Sequence, residues 1–132
     1  MNKGLQTFIK IDEGEFHRDI LVDTVKTLRS IGNWNLKKWR PTPALIDKSS
    51  GTSRPYVGQN YDEKFFDLVS DGWTHDHCEF CTNRISDKNI YEDCLTQGYN
   101  LNNDWICEKC YNLFMQTDDI EKELEKYQKV EK

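Results

Sequence analysis

Apolar and polar residues alternate loosely in "LQTFIKI", residues 5–11, with Leu5, Phe8 and Ile9 among the apolar positions, and this predicts a first strand. The period then lengthens. In "RDILVDTVKTLRSIG" residues Leu21, Val25, Leu28 and Gly32 fall at helical spacing, with Asp19 near the start, Arg29 near the end and Gly32 as the stop, so a helix is expected here. The stretch at 40–60 breaks the pattern. "RPTPALIDKSSGTSRP" holds all three prolines among Ser, Thr and Gly, and reads as a long loop with a short extended piece at "ALI". In "NYDEKFFDLVSDGW" Tyr61, Phe65, Leu68 and Val69 fit a helix capped by Asn60 and Glu63, while "KFFDLV" fits a strand equally, so residues 60–70 stay open between the two. Trp105 and Ile106 read as a short buried strand, and "YNLFMQ" after them, lacking Gly and Pro, suits a helix. The end, "DDIEKELEKYQKVEK", places Ile120, Leu124 and Tyr127 on one stripe, with Asp118 and Glu121 as a capping pair. It is expected to be a charged C-terminal helix, either continuing the one before it or starting afresh at Asp118, that packs that stripe on its own domain, with docking to a partner or a second copy of the chain as the alternative.

These elements describe a small α+β protein. At 132 residues a single domain is expected, made of an N-terminal α+β part over 1–72 and a second part over 73–132. The hydrophobic fraction of 36% against 31% charged residues predicts a thin core, which a bound metal would help to stabilise. Four tryptophans and an aromatic content of 12% argue for a folded chain. There is no apolar run near the start resembling a secretory signal and none of the roughly 20 apolar residues a membrane helix needs, so a soluble, cytoplasmic protein without membrane contact is expected.

Chemistry concentrates at the cysteines. "WTHDHCEFC", residues 73–81, and "WICEKC", residues 105–110, are two CxxC pairs. In a reducing compartment such pairs favour metal over disulfides, and four thiolates give Zn²⁺ a closed tetrahedral shell with no position left for a catalytic water. Cys78, Cys81, Cys107 and Cys110 are therefore the predicted ligands of one structural zinc. Sites drawing on His75, His77 or Cys94, and a redox dithiol, are the alternatives. The two histidines also fit as hydrogen-bond donors to the thiolates or as exposed residues of a polar turn. Cys94 otherwise reads as a small buried hydrophobe or a spare thiol.

The order of parts over residues 73–117 resembles the treble-clef zinc finger: a knuckle at the first CxxC, a hairpin, then a helix whose first turn carries the last two ligands. The resemblance implies a structural metal and leaves activity open, because the motif serves many functions. A zinc ribbon would place a knuckle at both pairs, each commonly turning through Gly, which neither Thr82 nor Tyr111 supplies. The string "HDHCEFC" with the later "WICEKC" is also similar to small bacterial proteins, a likeness that implies no particular activity.

Charge divides the chain. Residues 1–56 hold 10 Lys or Arg against 6 Asp or Glu, and residues 57–132 hold 8 against 17, so the cysteine-bearing half is strongly acidic within a total of −5. Such a surface repels phosphate and suits a basic partner. Nucleic-acid contact would have to come from "NWNLKKWRP", where Trp34 and Trp39 alternate with Lys37, Lys38 and Arg40 as in base-stacking surfaces. The competing reading is two partly buried rings with a solvated rim.

Enzyme classes fail on missing residues. The Pro-Cys-x-x-Cys and Glu set of zinc deaminases, HExxH, a P-loop and GxGxxG are all absent, and an HNH-type nuclease needs histidines that do not occur between Cys81 and Cys107. A RING-type ligase needs eight ligands for two ions, and a thioredoxin-like enzyme one CxxC in a βαβ unit. The expectation is a non-enzymatic binding protein, in one version an immunity- or antitoxin-type inhibitor of a basic nuclease. The alternative is a nucleic-acid-binding regulator.

Overall fold

The computed structural model describes residues 5–12, 14–87 and 95–132. Strand β1 (Thr7–Ile11) pairs antiparallel with β2 (Gly14–His17), which runs straight into helix α1 (Arg18–Ser30). The His17 ring caps that helix by accepting the Ile20 N–H at 3.3 Å, satisfying one of the donors a helix start leaves unpaired. The expected stripe is correct: Leu21, Val25 and Leu28 are buried, joined by Val22. Gly32 follows the C-cap residue Ile31 with φ 147°, a left-handed value that favours glycine, and the chain leaves the helix there.

Strand β3 (Asn35–Lys38) is an edge strand whose partner lies far away in sequence. The proline-rich stretch is not a loop. Residues Thr42–Asp47 form β4 and Ser53–Pro55 form β5, an antiparallel hairpin, and Phe66–Trp73 form β6 on the other side of β4. Residues 66–70, left open between helix and strand, are thus strand. Proline is tolerated because the β4–β6 register shifts between Thr42 and Ala44, a bulge at Pro43 where no ladder N–H is required. Opposite the bulge a Cβ on Gly72 would lie 2.9 Å from Val69 Cβ and 3.1 Å from Ala44 Cβ, so the strands close up only around a glycine. The Ser and Gly residues that suggested a loop make the hairpin turn. Asp47 Oδ1 accepts from the Ser49 N–H at 2.8 Å and the Ser50 N–H at 3.2 Å, and Gly51 takes φ 74°.

Two-residue strands β7 (Asp76–His77) and β8 (Arg84–Ile85) enclose the first CxxC pair. Strands β9 (Gln97–Leu101) and β10 (Asp104–Ile106) form the next hairpin, and β3 adds to the free side of β9. A short helix α2 (Glu108–Cys110) continues as a π-helical turn over Tyr111–Met115. Helix α3 (Ile120–Leu124) is shorter than the sequence suggested and its cap is one residue later, Asp119 accepting from the Lys122 N–H at 3.2 Å. The tail is not helical. Gln128–Glu131 form β11, which pairs antiparallel with β1 and extends the sheet to the order β11-β1-β2. Gln6 and Lys132 exchange backbone hydrogen bonds of 2.7 and 2.9 Å at its end.

One core cluster joins β1, α1, α3 and the π-helical turn through Ile9, Val25, Leu124 and Phe114, all fully buried, and it includes Cys78, Cys107 and Cys110. Phe114 packs edge to face with Phe16 at 5.6 Å and tilted against Phe80 at 5.1 Å between centroids. A second, smaller cluster of Trp39, Ile85 and Trp105 packs with Trp73. The β5-β4-β6 sheet reaches the second cluster through Trp73 at the end of β6, while Leu68 and Val69 of β6 and the flanking Val57 and Phe65 are exposed.

Candidate metal centre

The first CxxC pair sits on a tight turn. The Thr82 N–H reaches the Cys78 carbonyl at 3.0 Å and the Cys78 N–H reaches the Asn83 carbonyl at 2.9 Å, while Thr82 itself adopts φ 63°. The left-handed residue usually supplied by glycine is present here with a threonine in the position, so the lack of Gly did not rule out a knuckle. The second pair differs. Cys107 is the N-cap of α2, its sulfur accepting the Cys110 N–H at 3.5 Å, and Tyr111, in the place equivalent to Thr82, is helical at φ −59°. One pair therefore occupies a knuckle and the other a helix start, where unpaired N–H groups favour thiolate charge.

What joins pairs separated by 25 residues is backbone pairing. Cys78 forms a parallel bridge with Trp105, and the Glu79 N–H donates to the Trp105 carbonyl at 2.9 Å, which places the knuckle directly beside the strand that ends at Cys107. Gly98 permits the last approach: a Cβ there would lie 2.8 Å from the Ile106 carbonyl oxygen.

The four ligand sulfurs of Cys78, Cys81, Cys107 and Cys110 all lie within 4.8 Å of one another. Cys81 Sγ stands 3.7 Å from Cys107 Sγ, far beyond the roughly 2.05 Å of a disulfide. Metal–sulfur bonds of about 2.3 Å in tetrahedral array require sulfur separations of about 3.8 Å. The cluster is positioned to bind a metal ion, and its spacing is compatible with one zinc. Hydrogen bonds from Cys107 and Cys110 hold the Cys78 thiol far below the ordinary thiol range and bring Cys81 to about 7, whereas the bond with Cys107 pushes Cys110 upward. The thiols alone share ionisation unevenly; a cation lets all four ionise together. Outside the cluster, Lys109 pairs with Asp12, and its ammonium is stabilised first by that carboxylate and then by the charge of Cys110 and Cys107.

Among the described residues the metal-competent group contains the four cysteines and neither histidine. His75 and His77 pack edge to face at 5.0 Å between centroids. The His77 Nδ1 donates to the Thr82 carbonyl at 2.9 Å, bracing the knuckle rather than joining its sulfurs. Burial pushes the His75 imidazolium below its ordinary range, helped by the charge of Arg84. Cys94 lies outside the described residues. In the basic stretch, Trp34 and Trp39 are buried, their indole N–H groups donating to the Leu28 carbonyl at 2.9 Å and to Asp76 Oδ2 at 2.8 Å, while Lys37, Lys38 and Arg40 are exposed. Asp76, which accepts both indole donors of Trp39 and Trp73, carried no signal in the sequence that could have singled it out.

No helix among the described residues is long and apolar enough to cross a membrane. No protein-family model, curated protein or solved structure matches the chain.

Proposed function

We propose that the four cysteines hold one structural Zn²⁺ in a treble-clef-type module, and that the protein acts inside the cell by binding another protein, without catalysis of its own. The observation that carries the metal reading is the pairing of a knuckle with a helix start around four converging sulfurs. A closed sulfur shell leaves no open coordination position, so the ion's role is to fix the fold. Binding free energies of about 10 to 16 kcal/mol for such sites rival the about 5 to 15 kcal/mol net stability of a domain, which suits a chain with so small a core.

Support for a protein partner comes from β6 and the segments flanking the β5-β4-β6 sheet, where Leu68 is 45%, Phe65 61% and Val57 67% exposed. Exposed apolar side chains on and beside a sheet suit an interface. The acidic half of the chain favours a basic partner, and an inhibitor of a basic nuclease toxin is the concrete form of this reading. Tagged protein expressed in its host should recover one reproducible basic partner, and Leu68→Asp should abolish that recovery while zinc content is unchanged. Recovery of the same partner by the Leu68→Asp protein overturns the assignment of this sheet.

A nucleic-acid-binding role is favoured by one feature, the exposed cations Lys37, Lys38 and Arg40 at an edge strand. The burial of Trp34 and Trp39 weakens it by taking away the stacking rings. A gel shift that weakens steeply with salt would favour it.

A further inference from the structure

Three of the four cluster sulfurs belong to residues no more than 3% exposed, and the fourth, Cys81, is only half-buried. A cleft of about 730 Å³ opens beside it, lined in part by Ile11, Phe16 and Leu113 and bordered by Cys81, Cys107 and Cys110. Of the cysteines bordering that cleft Cys81 is the most exposed, and its sulfur stands 3.7 Å from Cys107 Sγ. Resting on the zinc reading above, we propose that Cys81 is the modification site of this protein, the ligand through which hydroperoxides and soft electrophiles attack the centre and release its metal.

The chemistry closes without a further reactant. The Cys81 thiolate attacks hydrogen peroxide, forming an S–O bond as the O–O bond breaks and hydroxide leaves, which takes up a proton from the buffered solution to become water. The Cys107 thiolate then attacks the Cys81 sulfur, forming an S–S bond and expelling a second hydroxide, which is protonated likewise. Two thiolates, one peroxide and two protons become one disulfide and two waters. With their sulfurs joined, Cys81 and Cys107 could no longer serve as ligands, and a zinc held by the four cysteines would be released. Access selects the first sulfur and proximity the second, so Cys107 needs no exposure of its own.

The test uses the full chain carrying Cys94→Ser, first shown by metal analysis to hold one equivalent of zinc. Treatment with limiting N-ethylmaleimide should place the first adduct on Cys81. Hydrogen peroxide should release one equivalent of zinc, read with a chromogenic chelator, together with a Cys81–Cys107 disulfide located by fragment-ion mass spectrometry. A first adduct on Cys78, Cys107 or Cys110, or a disulfide confined within either CxxC pair, overturns the inference while the metal centre stands. Absence of metal from the starting protein overturns the metal centre itself, and this inference with it.

Discussion

The Trp39 indole N–H donates to Asp76 Oδ2 at 2.8 Å, and the other oxygen of the same carboxylate, Oδ1, receives the Trp73 N–H at 3.1 Å. One side chain thus ties the end of β3 and the end of β6 to the strand that enters the knuckle. Through it the smaller core cluster is attached to the metal centre.

Removing that acceptor strands two indole donors, one of them on a ring only 2% exposed. Asp76→Ala should lower unfolding stability by about 1 to 3 kcal/mol. Urea denaturation followed by tryptophan fluorescence measures it, and an unchanged midpoint would show that the carboxylate does not join these strands.

Gly98 carries a second, purely steric constraint. A methyl group there meets the Ile106 carbonyl oxygen, whose backbone cannot yield without moving Cys107. Gly98→Ala should therefore destabilise the fold by about 1 to 3 kcal/mol and weaken metal retention together. Competition with a metal chelator reads the second effect; Gly14→Ala, whose added methyl would meet only ordinary contacts at 3.6 and 3.7 Å, is the control.

Phe114, fully buried between Phe16 and Phe80, should be the costliest core position, with Phe114→Ala losing about 3 to 5 kcal/mol. Phe65→Ala, at an exposed site, should change stability by no more than about 0.5 kcal/mol. Equal losses in thermal unfolding would mean that the core is elsewhere.

Glu79 supplies a pH dependence. Partial burial, then the neighbouring Asp104 and Cys78, push its carboxyl above the ordinary carboxylate range. A carboxyl raised on folding opposes the folded state wherever it must ionise, so its penalty is absent in acid and complete above its folded value. Glu79→Gln should consequently gain stability over the parent at pH 7 and lose that advantage as pH falls into the carboxylate range. Paired denaturation curves across pH check the sign; an advantage that grows in acid would refute it.

Local patterns were readable in the sequence where the partner lay nearby. The period of α1, the strand at Thr7–Ile11, the buried Trp105 and Ile106 and the two CxxC pairs all depend on neighbours a few residues away. Elements whose partners are remote were misread. Gln128–Glu131 has the Lys and Glu content of a helix, and only β1, at the opposite end of the chain, makes it a strand. The prolines of 40–55 looked like loop because the bulge that admits Pro43 is created by pairing with β6, and pairing register is not a local property. At the centre, the cysteines were identifiable by spacing, whereas the left-handed Thr82 and the clamp at Asp76 depend on contacts that spacing does not encode.

The central claim is one zinc held by four sulfurs, and metal analysis of the purified chain by inductively coupled plasma mass spectrometry tests it most directly. One equivalent of zinc is predicted for the native sequence and for Cys94→Ser, with zinc and cooperative unfolding both lost in Cys107→Ser. A full equivalent of zinc in Cys107→Ser, or none in the native protein, would contradict it.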